Sequence, residues 1–174
     1  FGQPSHLSYT VDQFQRCVGH QEYQLVQALE WLDDLWYKTE GARESYPTDG
    51  YKVLSSGSAT GRVIGGNLST LMLLAGTKYF PSLAGSMVFL EEVSLFSLGM
   101  FRRWINQLSQ QDGSDRIVGM VLGRFQRENQ IDHDELSRIL RTAGFMRGIP
   151  IIADASFGHT YPVGSFPIGA HVHV

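Results

Sequence analysis

Three short and almost uninterrupted apolar segments most constrain how this chain can fold. They cover residues 87–90, 117–123 and 149–153. A segment that is apolar on both faces is typical of a strand that is covered on both sides, as in a parallel sheet. Helical patterns lie between these segments. The sequence therefore predicts an α/β domain with a partly parallel sheet that is flanked by helices.

The predicted helices are amphipathic or have recognisable first residues. The helix predicted over residues 95–111 has an apolar face formed by Leu98, Phe101, Trp104, Ile105 and Leu108. Asp132 and Glu135 form a D-x-x-E pattern that resembles a capping box, which predicts the start of a later helix. Asn67 is the predicted N-cap of a helix over residues 68–75.

Length and composition favour one globular domain over residues 1–174. The chain is 43% apolar and 18% charged, which is ordinary for a folded protein. Residues 1–50 match the α/β pattern poorly and are predicted as an interdomain or loop region. Within them, residues 21–38 fit a helical stripe and a strand that enters a loop about equally well.

Charge and hydropathy exclude several classes of partner. A net charge of −3 and scattered basic residues give no footprint for a nucleic-acid polymer. No apolar run approaches the length of a membrane span. Cys17 is the single cysteine, so no internal disulfide is possible, which suits a reducing cytoplasm.

The strongest chemical signal is a pair of polar positions that follow two apolar segments. Glu91 and Glu92 come directly after residues 87–90, and His159 follows residues 149–153 in a Gly-His-Thr loop. A carboxylate that accepts the imidazole Nδ1–H lets histidine deprotonate a hydroxyl nucleophile. No G-x-S-x-G motif supplies that nucleophile. The competing interpretation is that these residues are only the solvated ends of strands.

Three further groups have both a functional and a structural interpretation. The indole of Trp31 either belongs to the core or stacks on a flat ligand. The Gly65-Gly66-Asn67 stretch either binds phosphate or allows close backbone packing. His171 and His173 either bind metal together with His159 or face solvent on an edge strand.

Five motifs occur in an order that resembles a known family. They are GRVIGGNL at 61–68, AGT at 75–77, MVFLEE at 87–92, GMVLGRF at 119–125 and FGHT at 157–160. Over about residues 51 to 169 the chain resembles the C-terminal domain of the LD-carboxypeptidase / microcin C immunity family of serine peptidases. The resemblance implies a swivelling β/α-type domain.

The resemblance also implies a catalytic role for two residues. Family members have a Ser-Glu-His triad, and the acid and the histidine fall on Glu91 and His159. The serine is expected in an N-terminal domain upstream, so the chain is expected to be a piece of a two-domain enzyme that is inactive alone. The family further implies a cytoplasmic homodimer that needs no metal or cofactor.

The microcin-immunity branch of the family is favoured. Residues 30–34 resemble its tryptophan-containing loop, which makes Trp31 the predicted substrate-binding residue that stacks on a nucleobase. The expected substrate is a muropeptide that ends in a D-amino acid, or a peptidyl- or aminoacyl-nucleotide. The alternative is a non-catalytic α/β binding or dimerisation module, in which Glu91 and His159 are ordinary polar residues.

Overall fold

The computed structural model describes residues 7–19, 22–35, 37–38 and 43–174. The strands are β1 (Glu30–Trp31), β2 (Tyr46–Pro47), β3 (Lys52–Ser55), β4 (Thr60–Asn67), β5 (Ser86–Glu91), β6 (Gly119–Gly123), β7 (Ile151–Ala155) and β8 (His171–His173). The helices are α1 (Ser8–Val18), α2 (Leu68–Met72), α3 (Leu98–Ser109) and α4 (His133–Thr142), with 3₁₀ turns at Ser114–Arg116 and Arg127–Asn129.

The main sheet has six strands in the order β3-β7-β6-β5-β4-β8. Its four inner strands, β4 to β7, are parallel, whereas β3 and β8 pair antiparallel at the two edges. Strands β1 and β2 form a small separate antiparallel pair. The predicted fold class, a partly parallel sheet flanked by helices, is confirmed.

The sheet separates two apolar clusters because neighbouring side chains along a strand point to opposite faces. On one face, Val88, Leu90 and Leu122 pack against the apolar sides of α2, α3 and α4. On the other face, Met87, Phe89, Val121 and their neighbours meet the chain segments that precede β3 and follow β7. Both faces of β5 and β6 are therefore covered, which explains the uninterrupted apolar runs at 87–90 and 119–123.

The ends of the helices follow their capping groups. Ser97 Oγ accepts from the Met100 amide at 3.4 Å, so α3 begins three residues later than the apolar pattern predicts. Asp132 Oδ1 accepts from the Glu135 amide at 2.7 Å, which confirms the predicted start of α4. The Asn67 cap is also confirmed, although α2 is shorter than predicted.

The first fifty residues contain more regular structure than the loop prediction implies. Helix α1 lies here, and residues 22–28 after it have no regular secondary structure, while Leu25 packs against the apolar cluster on this face of the sheet. Three tyrosine hydroxyls hold this segment in place. Tyr9 Oη donates to the carbonyl of Val26 at 2.6 Å, Tyr23 Oη donates to that of Ser165 at 2.6 Å, and Tyr51 Oη donates to that of Leu25.

Within the described parts of the chain, no helix has the length and hydrophobicity that crossing a bilayer requires.

Candidate active site

The candidate site lies at the edge of the sheet where the parallel strands end. Glu91 is the last residue of β5, and the loop after β7 carries His159. Phe157 anchors this loop because its ring packs against Phe89 and Phe166, with ring centroids 5.7 Å and 5.0 Å away. The parallel arrangement thus brings together two residues that lie 68 positions apart in the sequence.

Glu91 and His159 form a direct hydrogen bond. The distance between His159 Nδ1 and Glu91 Oε2 is 2.6 Å. The Glu91 side chain is only 9% exposed, whereas that of His159 is 47% exposed. Among the described residues, Nε2 of His159 has no hydrogen-bond partner. The imidazole is therefore held by its inner nitrogen and presents its outer nitrogen away from the acid.

Two glycines make room for the Glu91 carboxylate. A Cβ at Gly158 would lie 2.8 Å from Glu91 Cβ, and one at Gly123 would lie 3.0 Å from the same atom. Gly158 also has φ +102°, which residues with a side chain rarely adopt. Any larger residue at these positions would displace the acid or the loop that carries His159.

The environment raises the pKa of the His159 imidazole above its ordinary value. The largest cause is the hydrogen bond to Glu91, which stabilises the protonated ring. Partial burial acts in the opposite direction, and the negative charges of Glu91 and Glu92 add to the increase in the pKa. This is the electrostatic arrangement in which a histidine takes up a proton readily.

Glu92 does not extend into solvent, as an ordinary strand end would. It is only 2% exposed, and its carboxylate accepts hydrogen bonds from Asn67 Nδ2 at 2.9 Å and from the Ser69 amide at 2.8 Å. The side chains of Glu91 and Glu92 thus have separate partners. The interpretation of both as solvated strand ends is wrong, since both are buried.

Trp31 lies against other aromatic and basic side chains. The Arg124 guanidinium is 4.9 Å from the centre of its ring, and the Tyr46 ring is 5.3 Å away. The neighbouring residue Leu32 exchanges two backbone hydrogen bonds with Tyr161, at 2.7 and 2.8 Å. The segment that carries Trp31 is therefore fastened to the loop of His159. Its role in substrate binding stays a prediction.

The glycine-rich stretch before α2 serves backbone packing. A Cβ at Gly65 would lie 1.8 Å from the carbonyl oxygen of Phe89, so only glycine allows β4 and β5 to approach this closely. The first amides of α2 are already used, since those of Ser69 and Thr70 donate to Glu92 and Asn67. The geometry favours the packing interpretation over a phosphate site.

The two histidines of β8 lie far from His159. His171 and His173 pair with the beginning of β4, at the opposite end of the strand from Asn67. Since Asn67 is level with Glu91 and seven residues beyond Thr60, about 20 Å of strand separates the two ends. Both His173 ring nitrogens instead contact hydroxyls, of Ser58 and Thr60. No cluster of metal-binding side chains is present among the described residues.

The sequence interpretation missed a second histidine–acid pair and a buried arginine. His133 Nε2 lies 2.7 Å from Asp154 Oδ2, and Arg124 Nη2 donates to the Asp154 carbonyl at 3.1 Å. Asp154 could have been noticed, because it follows an apolar segment just as Glu91 does. His133 begins a helix, and no local pattern marks it as the partner of that acid.

Fold and site together define an α/β domain with a histidine–carboxylate pair at the carboxyl edge of its parallel strands. Residues 60–174 match the model of the LD-carboxypeptidase C-terminal domain. The chain belongs to this family, which confirms the prediction from the sequence motifs.

Relatives of this chain are longer proteins with related names. Proteins named "putative carboxypeptidase" in Treponema pallidum and Bacillus subtilis are each 34% identical, over 100% and 97% of the chain. The microcin C7 self-immunity protein MccF of Escherichia coli is 27% identical over 68% of the chain. The chain spans about half the length of the first two relatives, 52% in each case.

A solved structure shows the same fold. The MccF-like protein from Bacillus anthracis is 37% identical, with a TM-score of 0.93 over 99% of this chain and 54% of its own. The wild-type apo form of the microcin C7 self-immunity protein MccF, at 22% identity and a TM-score of 0.77, supports the fold alone.

Proposed function

We propose that this chain is the acid- and base-bearing part of a serine hydrolase of the LD-carboxypeptidase type. His159 removes the proton from a serine hydroxyl as that oxygen attacks the substrate carbonyl. The protonated ring then donates this proton to the leaving nitrogen as its bond to the carbonyl carbon breaks, and water deprotonated by the same ring afterwards hydrolyses the acyl-serine. Glu91 orients the imidazole and stabilises its positive form.

The observation that carries this proposal is the hydrogen bond between His159 Nδ1 and Glu91 Oε2 at 2.6 Å. A base must keep its reacting nitrogen available, and Nε2 of His159 lacks a partner among the described residues. The acid is buried, so its charge acts on the ring with little screening by water. Geometry and charge therefore both suit proton transfer at Nε2.

The nucleophilic serine is proposed to lie in a preceding N-terminal domain, because the relatives are about twice as long as this chain. The two-domain enzyme is proposed to be a cytoplasmic homodimer. Without the serine, the chain should show almost no hydrolysis, since loss of a triad nucleophile costs on the order of 10⁶-fold in kcat.

The proposed substrate has an amide bond next to a terminal D-amino acid, or a bond that joins an aminoacyl group to a nucleotide. The second possibility is favoured by the MccF-like structure at 37% identity. One solved structure of the microcin C7 self-immunity protein contains aspartyl sulfamoyl adenosine. In this chain Trp31 would contact the nucleobase, although Arg124 and Tyr46 already lie close to its ring.

The test is hydrolysis by a longer protein that includes the preceding domain. A muropeptide ending in a D-amino acid and aspartyl sulfamoyl adenosine serve as the two substrates. Cleavage of either one should be lost in His159→Ala. Undiminished cleavage by that variant would exclude the proposed mechanism. The ratio of kcat/KM for the two substrates assigns the substrate class.

The alternative, a non-catalytic binding or dimerisation module, has some support from exposed apolar side chains. Leu29 and Leu95 are 87% and 83% exposed. It requires no contact between Glu91 and His159, and it predicts that the longer protein cleaves neither substrate. The same assay therefore separates the two functions.

A further inference from the structure

Glu92 is a buried carboxylate that is fully engaged in hydrogen bonds. Besides Asn67 Nδ2 and the Ser69 amide, the Val93 amide donates to it at 3.0 Å; Ser69 Oγ lies 3.2 Å from it and closer, at 2.8 Å, to Asn67 Oδ1. Burial of an isolated carboxylate is unfavourable, and such donors offset the lost hydration. This carboxylate is consequently held in one position.

The partners of Glu92 lie in the turn between β4 and α2. Asn67, the last residue of β4, is directly opposite Glu91 in the parallel ladder of β4 and β5. Its Oδ1 accepts from the Thr70 amide at 3.0 Å, while its Nδ2 donates to Glu92. A single side chain thus connects the cap of α2, the end of β4 and the residue that follows Glu91.

Glu92 has no hydrogen bond to His159, and the two carboxylates have different neighbours. Glu91 packs against Gly123 and Gly158 and reaches the imidazole, whereas Glu92 reaches the β4–α2 turn. Glu92 can therefore affect His159 only through the backbone of Glu91 and through its negative charge. The negative charges of Glu91 and Glu92 both raise the pKa of the imidazole.

We propose that Glu92 is a positioning residue for the candidate active site: it fastens the β4–α2 turn to the end of β5 and so fixes Glu91 in hydrogen-bonding distance of His159. Catalysis at the Glu91–His159 pair is the part of this inference that rests on the proposed function. The positioning itself is a property of the chain and can be measured without a substrate.

The experiment is an NMR titration of His159 in the 174-residue chain, with Glu92→Gln compared to the unsubstituted protein. The substitution removes the charge and places an amide group among donors, which loosens the turn. We expect the pKa of His159 to fall and the resonance of its Nδ1–H to broaden through faster exchange with water. Glu92→Asp retains the charge, but its shorter side chain cannot reach the same donors, so most of the His159 pKa should be kept while the Nδ1–H resonance still broadens.

The matched control is Asp112→Asn, which removes one negative charge from a fully exposed position next to α3. It should leave the titration of His159 unchanged. If Glu92→Gln leaves the Nδ1–H resonance of His159 as sharp as in the unsubstituted protein, Glu92 acts only through its charge or through overall stability, and the proposal is wrong even where the pKa falls.

A second variant covers the case in which Glu92→Gln does not fold. Ser69→Ala removes a hydroxyl that is shared between Asn67 Oδ1, at 2.8 Å, and Glu92, at 3.2 Å, and it leaves the carboxylate in place. Its Nδ1–H resonance should broaden less than that of Glu92→Gln, with the pKa of His159 retained. A resonance as sharp as that of the unsubstituted protein would contradict the proposal. Hydrolysis by the longer protein is a separate measurement, so failure of the proposed function is distinguishable from failure of the positioning role.

Discussion

Two histidine–carboxylate pairs lie near the carboxyl edge of the sheet, and they differ in the ring nitrogen that faces the acid. In one pair His159 uses Nδ1 to contact Glu91, at 2.6 Å. In the other His133 uses Nε2 to contact Asp154, at 2.7 Å. The two imidazoles are similarly exposed, 47% and 42%, but the acids are 9% and 22% exposed.

This difference teaches that composition and distance alone do not define a general base. The Nε2 atom is at the outer end of the imidazole, so a ring held by Nδ1 presents its reactive nitrogen outward. His133 has that outer nitrogen occupied by Asp154. Of these two pairs, the one formed by His159 has the orientation that proton transfer to a substrate requires.

The largest expected difference between the two pairs is in kcat/KM when one or the other histidine is removed. In the longer protein, His159→Ala should lower kcat/KM by about 10³-fold or more, because the general base is lost. His133→Ala should change it by less than about tenfold, since that ring lacks an outward Nε2. Steady-state hydrolysis of the better substrate measures both. Comparable losses in the two variants would contradict the distinction between the pairs.

The second comparison concerns the free energy of unfolding when Gly158, the loop glycine beside Glu91, is replaced. Gly158→Ala should reduce the free energy of unfolding by about 2–6 kcal/mol, because strained φ and a close approach to Glu91 add together. Gly144→Ala is the control, since Gly144 also has positive φ but has open space around its Cβ position. Strain alone should then cost about 1–2 kcal/mol. Urea unfolding of the 174-residue chain measures both, and equal costs would show that the contact with Glu91 is unimportant.

Double-mutant cycles sharpen the comparison of the two pairs directly. The coupling between Glu91 and His159 should be about 1–2 kcal/mol, because the acid is buried. The coupling between Asp154 and His133 should be about 0–1 kcal/mol, because both groups are more accessible to water. The data are free energies of unfolding, measured for four single variants and the two corresponding double variants. The single variants are Glu91→Gln, His159→Gln, Asp154→Asn and His133→Gln. A larger coupling in the second pair would reverse this ranking.

The smallest expected effect is a shift of the pH profile. Because the base acts in its neutral form, kcat/KM should rise with pH through the pKa of His159. Since Glu91 raises that pKa, the midpoint should lie above the ordinary histidine value of about 6.5. Glu91→Gln should move the midpoint to lower pH, and Asp154→Asn should leave it in place. The measurement is kcat/KM across pH for the three proteins, and a midpoint that stays constant in Glu91→Gln would exclude Glu91 as the cause.

Local sequence patterns predicted the secondary structure correctly where a segment determines its own conformation. The apolar segment 87–90 predicted β5, and the Asp132 cap predicted the start of α4. The order of the motifs also identified the family. Local patterns did not predict the full length of α1 or the burial of Glu92, and both make contacts with other segments. The hydroxyl of Tyr9, for example, acts on a carbonyl 17 residues away.

The sequence by itself determined three of the four inner strands (β5, β6 and β7), the family, and Glu91 and His159 as the candidate pair. Each of these depends on residue type and on order along the chain. The tertiary structure alone decided that His159 meets Glu91 through Nδ1, that Glu92 is turned toward the β4–α2 turn, and that His171 and His173 are far away. The physical reason is that ring orientation, burial and strand order arise only when segments 20 to 70 residues apart pack against each other, as for Glu92 with Ser69 and for His159 with Glu91.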